Sequence, residues 1–284
     1  MISSVCETIV EVRRAVALAR KEGRVVALVP TMGALHAGHL RLIEEARAAS
    51  GIVVVSIFVN PTQFGPNEDF RRYPRTLEAD LDLCARGGAE VVFAPSVEEM
   101  YPNGPSSTFV EVPALSDRLE GASRPGHFRG VATVVLKLLN IVGPDLVYFG
   151  MKDYQQVQLI NRMVIDLDIP VRVVPTFREA DGLAMSSRNR YLDADQRRAA
   201  VVLSRALEAA SRAVLGGERD ADRIRQILRQ TVESEPLASL DYAEVVDALT
   251  LESTREVGPQ RAVVALIAAR VGPARLIDNA VLSG

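Results

Sequence analysis

The spacing of apolar residues changes repeatedly along the first half of the chain. Arg24–Pro30 (RVVALVP) is a β-branched run ended by a proline. Ile52–Val59 (IVVVSIFV) is apolar almost throughout, the pattern of a strand covered on both faces. Between them, His39–Ser50 sets Leu40, Ile43 and Ala46 at helical spacing. The same reading predicts a helix at Leu77–Arg86, stopped by Gly87 and Gly88. A strand follows at Glu90–Ala94, an apolar helix at Gly130–Val142 and a strand at Asp145–Phe149. A helix at Tyr154–Asp166 and a strand at Val171–Pro175 complete the series. Strands alternating with helices predict an α/β fold, a Rossmann-like doubly wound parallel sheet over residues 1–176. Beyond it the character changes. Charged amphipathic helices are expected at Asp195–Leu215 and Asp220–Glu233, joined by Gly216 and Gly217. Strand-like Asp241–Val246, Arg261–Arg270 and Arg275–Ile277 follow. This predicts a smaller C-terminal α+β lid domain, 177–284, with an antiparallel sheet. The polar stretch Asn60–Pro74 reads as a long irregular loop, and such loops in compact domains are often functional.

Composition narrows the function classes. With 284 residues, 48% of them hydrophobic, the chain can bury a core without staples. Its 33 basic and 36 acidic residues give a net charge of −3, which offers no basic footprint for nucleic acid. A local basic pocket for a phosphorylated ligand stays compatible with that balance. The two cysteines, Cys6 and Cys84, are too few for a disulfide framework or a cysteine zinc site. The N-terminus carries Glu7 and Glu11 among its apolar residues and lacks a signal-peptide core. The longest apolar run, Val131–Val142, is broken by Lys137 and Asn140, short of the roughly 18 residues of a membrane span. A cytoplasmic protein without a membrane partner is expected.

The most informative chemistry lies in Pro30–Leu40, PTMGALHAGHL. A strand, a glycine turn and a helix start leave backbone N–H groups facing an anion. Gly33 and Gly38 let the backbone approach a phosphate. His36 and His39, spaced i, i+3, fall on one side of the turn, where imidazole donors stabilise charge on a triphosphate under attack. Two alternatives stand beside this: an ordinary turn with incidental histidines, and an H-x-x-H metal site. The metal site needs a third ligand, and the only other histidine is His127. Lys152 follows a glycine at a strand end, where open α/β sheets bind ligands. Asp153 is placed to hold a hydroxyl or to cap a helix. Met185-Ser186-Ser187-Arg188 lines up two hydroxyls and a guanidinium, which suits a phosphate clamp or simply a turn opening the second domain. The G-x-x-x-x-G-K-[ST] loop of P-loop enzymes and the G-x-S-x-G elbow are both absent from the sequence.

H-x-G-H after a strand resembles the signature of the nucleotidyltransferase superfamily. The wider PTMGALHAGHL is similar to the pantothenate synthetase family, and further stretches agree in the same order. They are FVNPTQFG (Phe58–Gly65), YPRT (Tyr73–Thr76), LEGASRPGHFRG (Leu119–Gly130), FGMKDYQQ (Phe149–Gln156) and DGLAMSSRNRY (Asp181–Tyr191), then more weakly LIDNA (Leu276–Ala280). The resemblance implies a ligase joining pantoate to β-alanine through a pantoyl adenylate, with release of AMP and pyrophosphate. His36, His39 and Lys152 would serve catalysis. ATP would lie against Met32, Gly33, Ala34, Leu35, His36, Ala37, Gly38 and His39 of the first turn. It would also meet Gly150, Met151, Lys152 and Asp153, then Phe177, Met185, Ser186, Ser187 and Arg188. Gln63 and Gln156 would bind pantoate, Gln63 also β-alanine, and Asp80 would help hold Mg²⁺. Arg124 and His127 would order a nearby loop. Met151 stands where the family usually carries an acidic residue or glutamine, and Phe177 is bulkier than the usual aliphatic residue. A homodimer formed through the N-terminal domain is also implied.

Overall fold

Val26–Thr31 (β2) and Ile52–Ile57 (β3) pair in parallel, residue by residue from Val26 opposite Ile52 to Thr31 opposite Ile57. They are the centre of a six-stranded sheet in this computed structural model. The order is β1-β4-β3-β2-β5-β6, with β1 Ser4–Cys6, β4 Val91–Phe93, β5 Leu146–Gly150 and β6 Val171–Val174. Every neighbouring pair in it is parallel. The structure describes all residues except 1, 3, 67, 105–107, 166–169 and 283–284. The expected end of one helix at Asp166 lies outside the described residues.

The helices are α1 Ile9–Lys21, α2 Ala37–Ala49, α3 Leu77–Gly87, α7 His127–Val142 and α8 Tyr154–Ile165, with one-turn helices α4 Val97–Met100, α5 Pro113–Ser116 and α6 Glu120–Ser123 between α3 and α7. One core joins Ala27, Val29, Val53 and Val55 of the sheet to Ile43 and Ala46 of α2 and to Leu83 and Cys84 of α3. The polar tract Asn60–Pro74 is less irregular than its composition predicts. It holds two short 3₁₀ turns, Pro61–Gln63 and Asp69–Arg71, the first started by the Asn60 side chain accepting from the Thr62 N–H. The first strand and helix escape the hydrophobic pattern. β1 is only three residues long, and α1 is fixed by a capping box in which Thr8 and Glu11 satisfy each other's backbone N–H groups.

The chain divides into two compact units. The first is Met1–Met151 with Gln155–Pro175, and the second is Lys152–Tyr154 with Thr176–Gly284. The turn Lys152–Tyr154 thus belongs with the C-terminal unit rather than with the sheet it follows. In that second unit an antiparallel sheet, β7 Ala238–Asp247, β8 Val263–Val271 and β9 Ala274–Leu282, lies in the order β7-β8-β9. Its core includes Val245, Ala265 and Ile267 of the strands, together with residues of helices α10 Val202–Leu215 and α11 Ala221–Glu233.

Two expectations are corrected here. The single helix over Asp195–Leu215 is two, α9 Ala194–Ala199 and α10. Ala199 through Leu203 are all buried, and one straight helix cannot point five successive residues at one core. The backbone tightens instead to i→i+3 bonds at Val201 and Leu203 and redirects. The last strand is nine residues, not the three of Arg275–Ile277. Its apolar pattern is interrupted by Asp278 and Asn279, which are buried because each has found a polar partner. Among the described residues no helix is long and apolar enough to cross a membrane.

Candidate active site

β2, the strand preceding the histidine turn, lies between β3 and β5, so the crevice at the carboxyl ends of β2 and β5 is where the strand order reverses, the usual ligand position in open α/β sheets. The turn after β2 is built tightly. The Thr31 hydroxyl donates to the Ser56 carbonyl at 2.7 Å and accepts from the Gly33 N–H at 3.2 Å. Gly33 has φ +82°, and a Cβ there would lie 3.0 Å from both Asp80 Oδ2 and Ile57 Cγ2. Ala34 follows at φ +52°, a left-handed conformation that a residue with a Cβ adopts at a cost. What holds it is Asp80 on α3, 2% exposed. Its carboxylate accepts from the Ala34 N–H at 2.9 Å, the Leu35 N–H at 2.8 Å and the Thr76 hydroxyl at 3.1 Å.

His36 caps α2. Its Nδ1 accepts from the Gly38 N–H at 3.2 Å, while the His36 N–H donates to His39 Nδ1 at 3.3 Å. The rings sit 4.1 Å apart, centroid to centroid. With both Nδ1 atoms accepting, a neutral ring must carry its proton on Nε2. In the neutral form each ring therefore carries its hydrogen on Nε2, and the backbone itself sets the orientation of the ring. The expected cradle of free N–H groups is largely taken up by partners within the protein. The amides of Gly33, Ala34, Leu35, His36, Gly38 and His39 are all engaged within the protein. Met32 and Ala37 complete the segment.

Gln63 sits in the 3₁₀ turn and is nearly buried. Its Oε1 accepts from Asn60 Nδ2 at 3.1 Å, and its Nε2 lies 3.2 Å from Met32 Sδ. Asn60 thus fixes which end of the amide donates: Gln63 offers N–H, the right polarity for a carboxylate or hydroxyl oxygen. Asn60, 1% exposed, also donates to the Gly130 carbonyl at 3.2 Å and accepts from the Tyr101 hydroxyl at 2.8 Å. Gly130 is where α7 touches the turn. A Cβ on it would lie 2.4 Å from the Thr62 carbonyl oxygen and 2.7 Å from Gln63 Cα.

Arg124 and His127 tie the same turn down from the other side. Arg124 grips Glu68 with two bonds, Nε to Oε1 at 2.7 Å and Nη2 to Oε2 at 2.5 Å. Arg124 Nη1 stands 3.0 Å from His127 Nε2, and His127 Nδ1 stands 2.8 Å from the Gln63 carbonyl. The guanidinium can only donate, so Nε2 accepts and Nδ1 donates to Gln63. Burial and then the Arg124 charge push the His127 pKa down to about 4. Burial works to raise the Glu68 pKa, but the Arg124 hydrogen bond and charge outweigh it and hold that carboxyl below its usual range. Gln155 on α8 joins in by donating to the Leu115 and Arg118 carbonyls, each at 2.8 Å, and accepting from the Glu120 N–H. Gln156, half-buried, is its neighbour on that helix.

Gly150 closes β5, and the Met151 N–H donates to the Val174 carbonyl at 2.8 Å, continuing the pairing with β6. In the second unit, Lys152 Nζ lies 3.4 Å from Asp153 Oδ1. The Phe177 carbonyl accepts from the Met185 N–H at 3.0 Å, closing a hairpin that leads into Ser186. The Ser186 hydroxyl caps the 3₁₀ turn Ser187–Tyr191 by accepting from the Arg188 N–H at 3.3 Å, and Ser187 is buried. Among the described residues no group of three His, Cys, Asp or Glu side chains is arranged to hold a metal ion. Sequence reasoning singled out His36, His39, Gln63 and Lys152. It missed Asn60, Glu68, Gly130 and Gln155, although all four lie in or beside the family motifs. For Asn60, Glu68 and Gln155 the available signal was a polar residue inside or beside a motif but without a substrate role.

Comparison with known proteins gives the family. The family model described as pantoate-beta-alanine ligase matches residues 4–281. The chain is 56% identical over 281 residues to the pantothenate synthetase of Pelotomaculum thermopropionicum, covering 98% of each. It is 54% identical over 280 residues to that of Herpetosiphon aurantiacus, covering 98% of this chain and 99% of the other. Among solved structures, pantothenate synthetase from Thermus thermophilus superposes with a TM-score of 0.91 at 43% identity, over 100% of both chains. The pantoate-beta-alanine ligase of Francisella tularensis, solved in complex with beta-gamma ATP and beta-alanine, gives 0.77 at 34% identity, over 99% of this chain and 97% of the other. From the histidine turn to the last strand, the chain belongs to the pantoate–β-alanine ligase family.

Proposed function

We propose that the protein condenses pantoate with β-alanine at the expense of ATP, through a pantoyl adenylate formed beside His36 and His39. A pantoate carboxylate oxygen attacks the α-phosphorus of ATP, and the bond to the β-phosphate bridging oxygen breaks to release pyrophosphate. The β-alanine amine then attacks the activated carbonyl. The acyl C–O bond breaks, AMP leaves with the former carboxylate oxygen, and the nitrogen loses a proton. A carboxylate is a poor acyl donor until it carries such a leaving group, so the protein contributes positioning and charge stabilisation. The observation that carries this reading is the pair of imidazoles whose Nδ1 atoms are locked onto backbone amides. Their Nε2–H groups meet charge that builds on the departing phosphates, and His39 is the proton donor to them.

The remaining assignments follow the same chemistry. Lys152, Ser186, Ser187 and Arg188 steady the phosphates, and Gln63 and Gln156 hold pantoate, with Gln63 also meeting β-alanine. The backbone of Gly150, Met151 and Asp153 and the ring of Phe177 lie along the nucleotide. Mg²⁺ would enter with ATP, whose phosphates are its usual partners. It would neutralise phosphate charge. Asp80 as its ligand competes with the loop-anchoring work its oxygens already perform. Family membership supports a homodimer in the cytoplasm, and sedimentation equilibrium checks the former. The test of the reaction is product analysis with Mg·ATP and pantoate, with and without β-alanine. AMP formation that requires all three substrates is expected, and ADP as the product refutes the adenylate route.

A further inference from the structure

The alternation of β9 buries Ala274, Leu276 and Leu282, all at even positions, and Asp278 keeps step with them. Asn279 does not keep step, yet it is only 5% exposed. Its amide Nδ2 donates to the Lys152 carbonyl at 2.8 Å. The neighbouring Asp278, 3% exposed, takes the Arg178 guanidinium in a two-pronged pair at 2.7 and 2.9 Å. Arg178 also donates to the Gly182 carbonyl at 3.0 Å, and it opens the hairpin whose other arm, Ala184 and Met185, delivers Ser186. Asp278 Oδ1 in turn accepts from the Asn279 N–H at 2.8 Å, so the dipeptide braces itself. Two segments far apart in sequence, the Lys152 turn and the Phe177–Met185 hairpin, are therefore fastened to adjacent residues of one strand. The grouping of Lys152–Tyr154 with the second unit is consistent with this fastening.

We propose that Asn279 is a positioning residue for Lys152. Through its hydrogen bond to the Lys152 carbonyl it fixes the backbone from which the ammonium meets the ATP phosphates, while Asp278 sets the Ser186–Arg188 segment against the same strand. The inference rests on the reading of Lys152 as a phosphate contact. It also gives the Asp278-Asn279 pair of the LIDNA stretch a purpose, in setting the geometry of residues that meet the phosphates.

A double-mutant cycle on the full-length protein tests it, reading kcat/KM for ATP from AMP release, with thermal melting as the fold control. Asn279→Ala leaves the Lys152 carbonyl without its donor and is expected to lower kcat/KM about tenfold, because small displacements of a charged contact are costly. Lys152→Ala lowers it further, and Asn279→Ala added to Lys152→Ala is expected to cost nothing more. A multiplicative loss in the double variant overturns the inference and leaves the Lys152 reading standing, as does Asn279→Ala at the wild-type value. Lys152→Ala at the wild-type value refutes the Lys152 reading and the inference with it. Should Asn279→Ala lose its cooperative melting, Asn279→Ser goes through the same cycle, since its hydroxyl stops short of the Lys152 carbonyl.

Discussion

Asp80→Asn isolates the support beneath the histidine turn. The substitution keeps the shape of the side chain but turns one accepting oxygen into an NH₂ group. In the wild type both oxygens are committed: Oδ2 to the Ala34 N–H, and Oδ1 to the Leu35 N–H and the Thr76 hydroxyl. Whichever way the amide turns, one buried backbone N–H faces another donor. Losing a charge-assisted bond and burying an unpaired N–H costs about 2–4 kcal/mol. In a unit of this size that lowers Tm by roughly 5–12 °C. Ala34, held at φ +52° by these bonds, then relaxes toward ordinary backbone and carries His36 with it. A displacement of the donors by about 1 Å costs on the order of 10²-fold in kcat. The assay is thermal melting without Mg²⁺ or nucleotide, followed by AMP release across a Mg²⁺ titration. The account predicts a lower Tm in the free protein and an activity defect that saturating Mg²⁺ does not repair. Unchanged melting with activity restored by Mg²⁺ would refute it and make Asp80 a metal ligand instead.

Three further substitutions probe neighbouring parts of the site. His39→Asn keeps an acceptor near the place of Nδ1 but removes the Nε2–H donor. It should melt like wild type while kcat falls about 10²–10³-fold, and a normal kcat would remove His39 from the chemistry. Gly130→Ala, favourable by helix propensity alone, would set a Cβ 2.4 Å from the Thr62 carbonyl oxygen. The turn bearing Gln63 must shift, so the KM for pantoate should rise about tenfold or more with ATP binding unchanged, as calorimetry can show. His127 makes stability depend on pH. Its pKa is about 4 in the fold against an ordinary 6.5, so the unfolded chain binds the extra proton between those values. The stabilisation is complete above about pH 6.5 and is lost as pH falls toward 4, amounting to about 2 kcal/mol by pH 5. Urea midpoints at pH 7.5 and pH 5 should differ less in His127→Gln than in wild type, and an equal difference in the two would contradict the assignment.

What the sequence made readable was local. His36 and His39 are three residues apart, so a turn and a helix start were enough to bring the rings together. The alternation of strands and helices made the parallel sheet readable for the same reason. What it concealed depends on distant partners. Asp80 reaches the Ala34 amide across 46 residues, and Asn279 reaches Lys152 across 127. Neither pairing leaves a mark in hydrophobic spacing. Buried polar residues even disguise the elements that carry them: Asp278 and Asn279 made a nine-residue strand look like three. The split between α9 and α10 was hidden differently, because no glycine or proline marks Ala199–Leu203 and only their shared burial forces the bend. The two-sided fastening of Gln63, by Asn60 and by His127, was likewise a matter of tertiary contact.

The central claim is that the pantoate carboxylate attacks the α-phosphorus of ATP at the turn of His36 and His39. The most direct measurement uses pantoate labelled with ¹⁸O in its carboxylate, with Mg·ATP and β-alanine, and reads the ³¹P spectrum of the products. The account predicts one ¹⁸O on the phosphorus of AMP and none in pyrophosphate, with the transfer suppressed in His39→Asn. Label in pyrophosphate or inorganic phosphate, or AMP free of label, would contradict it.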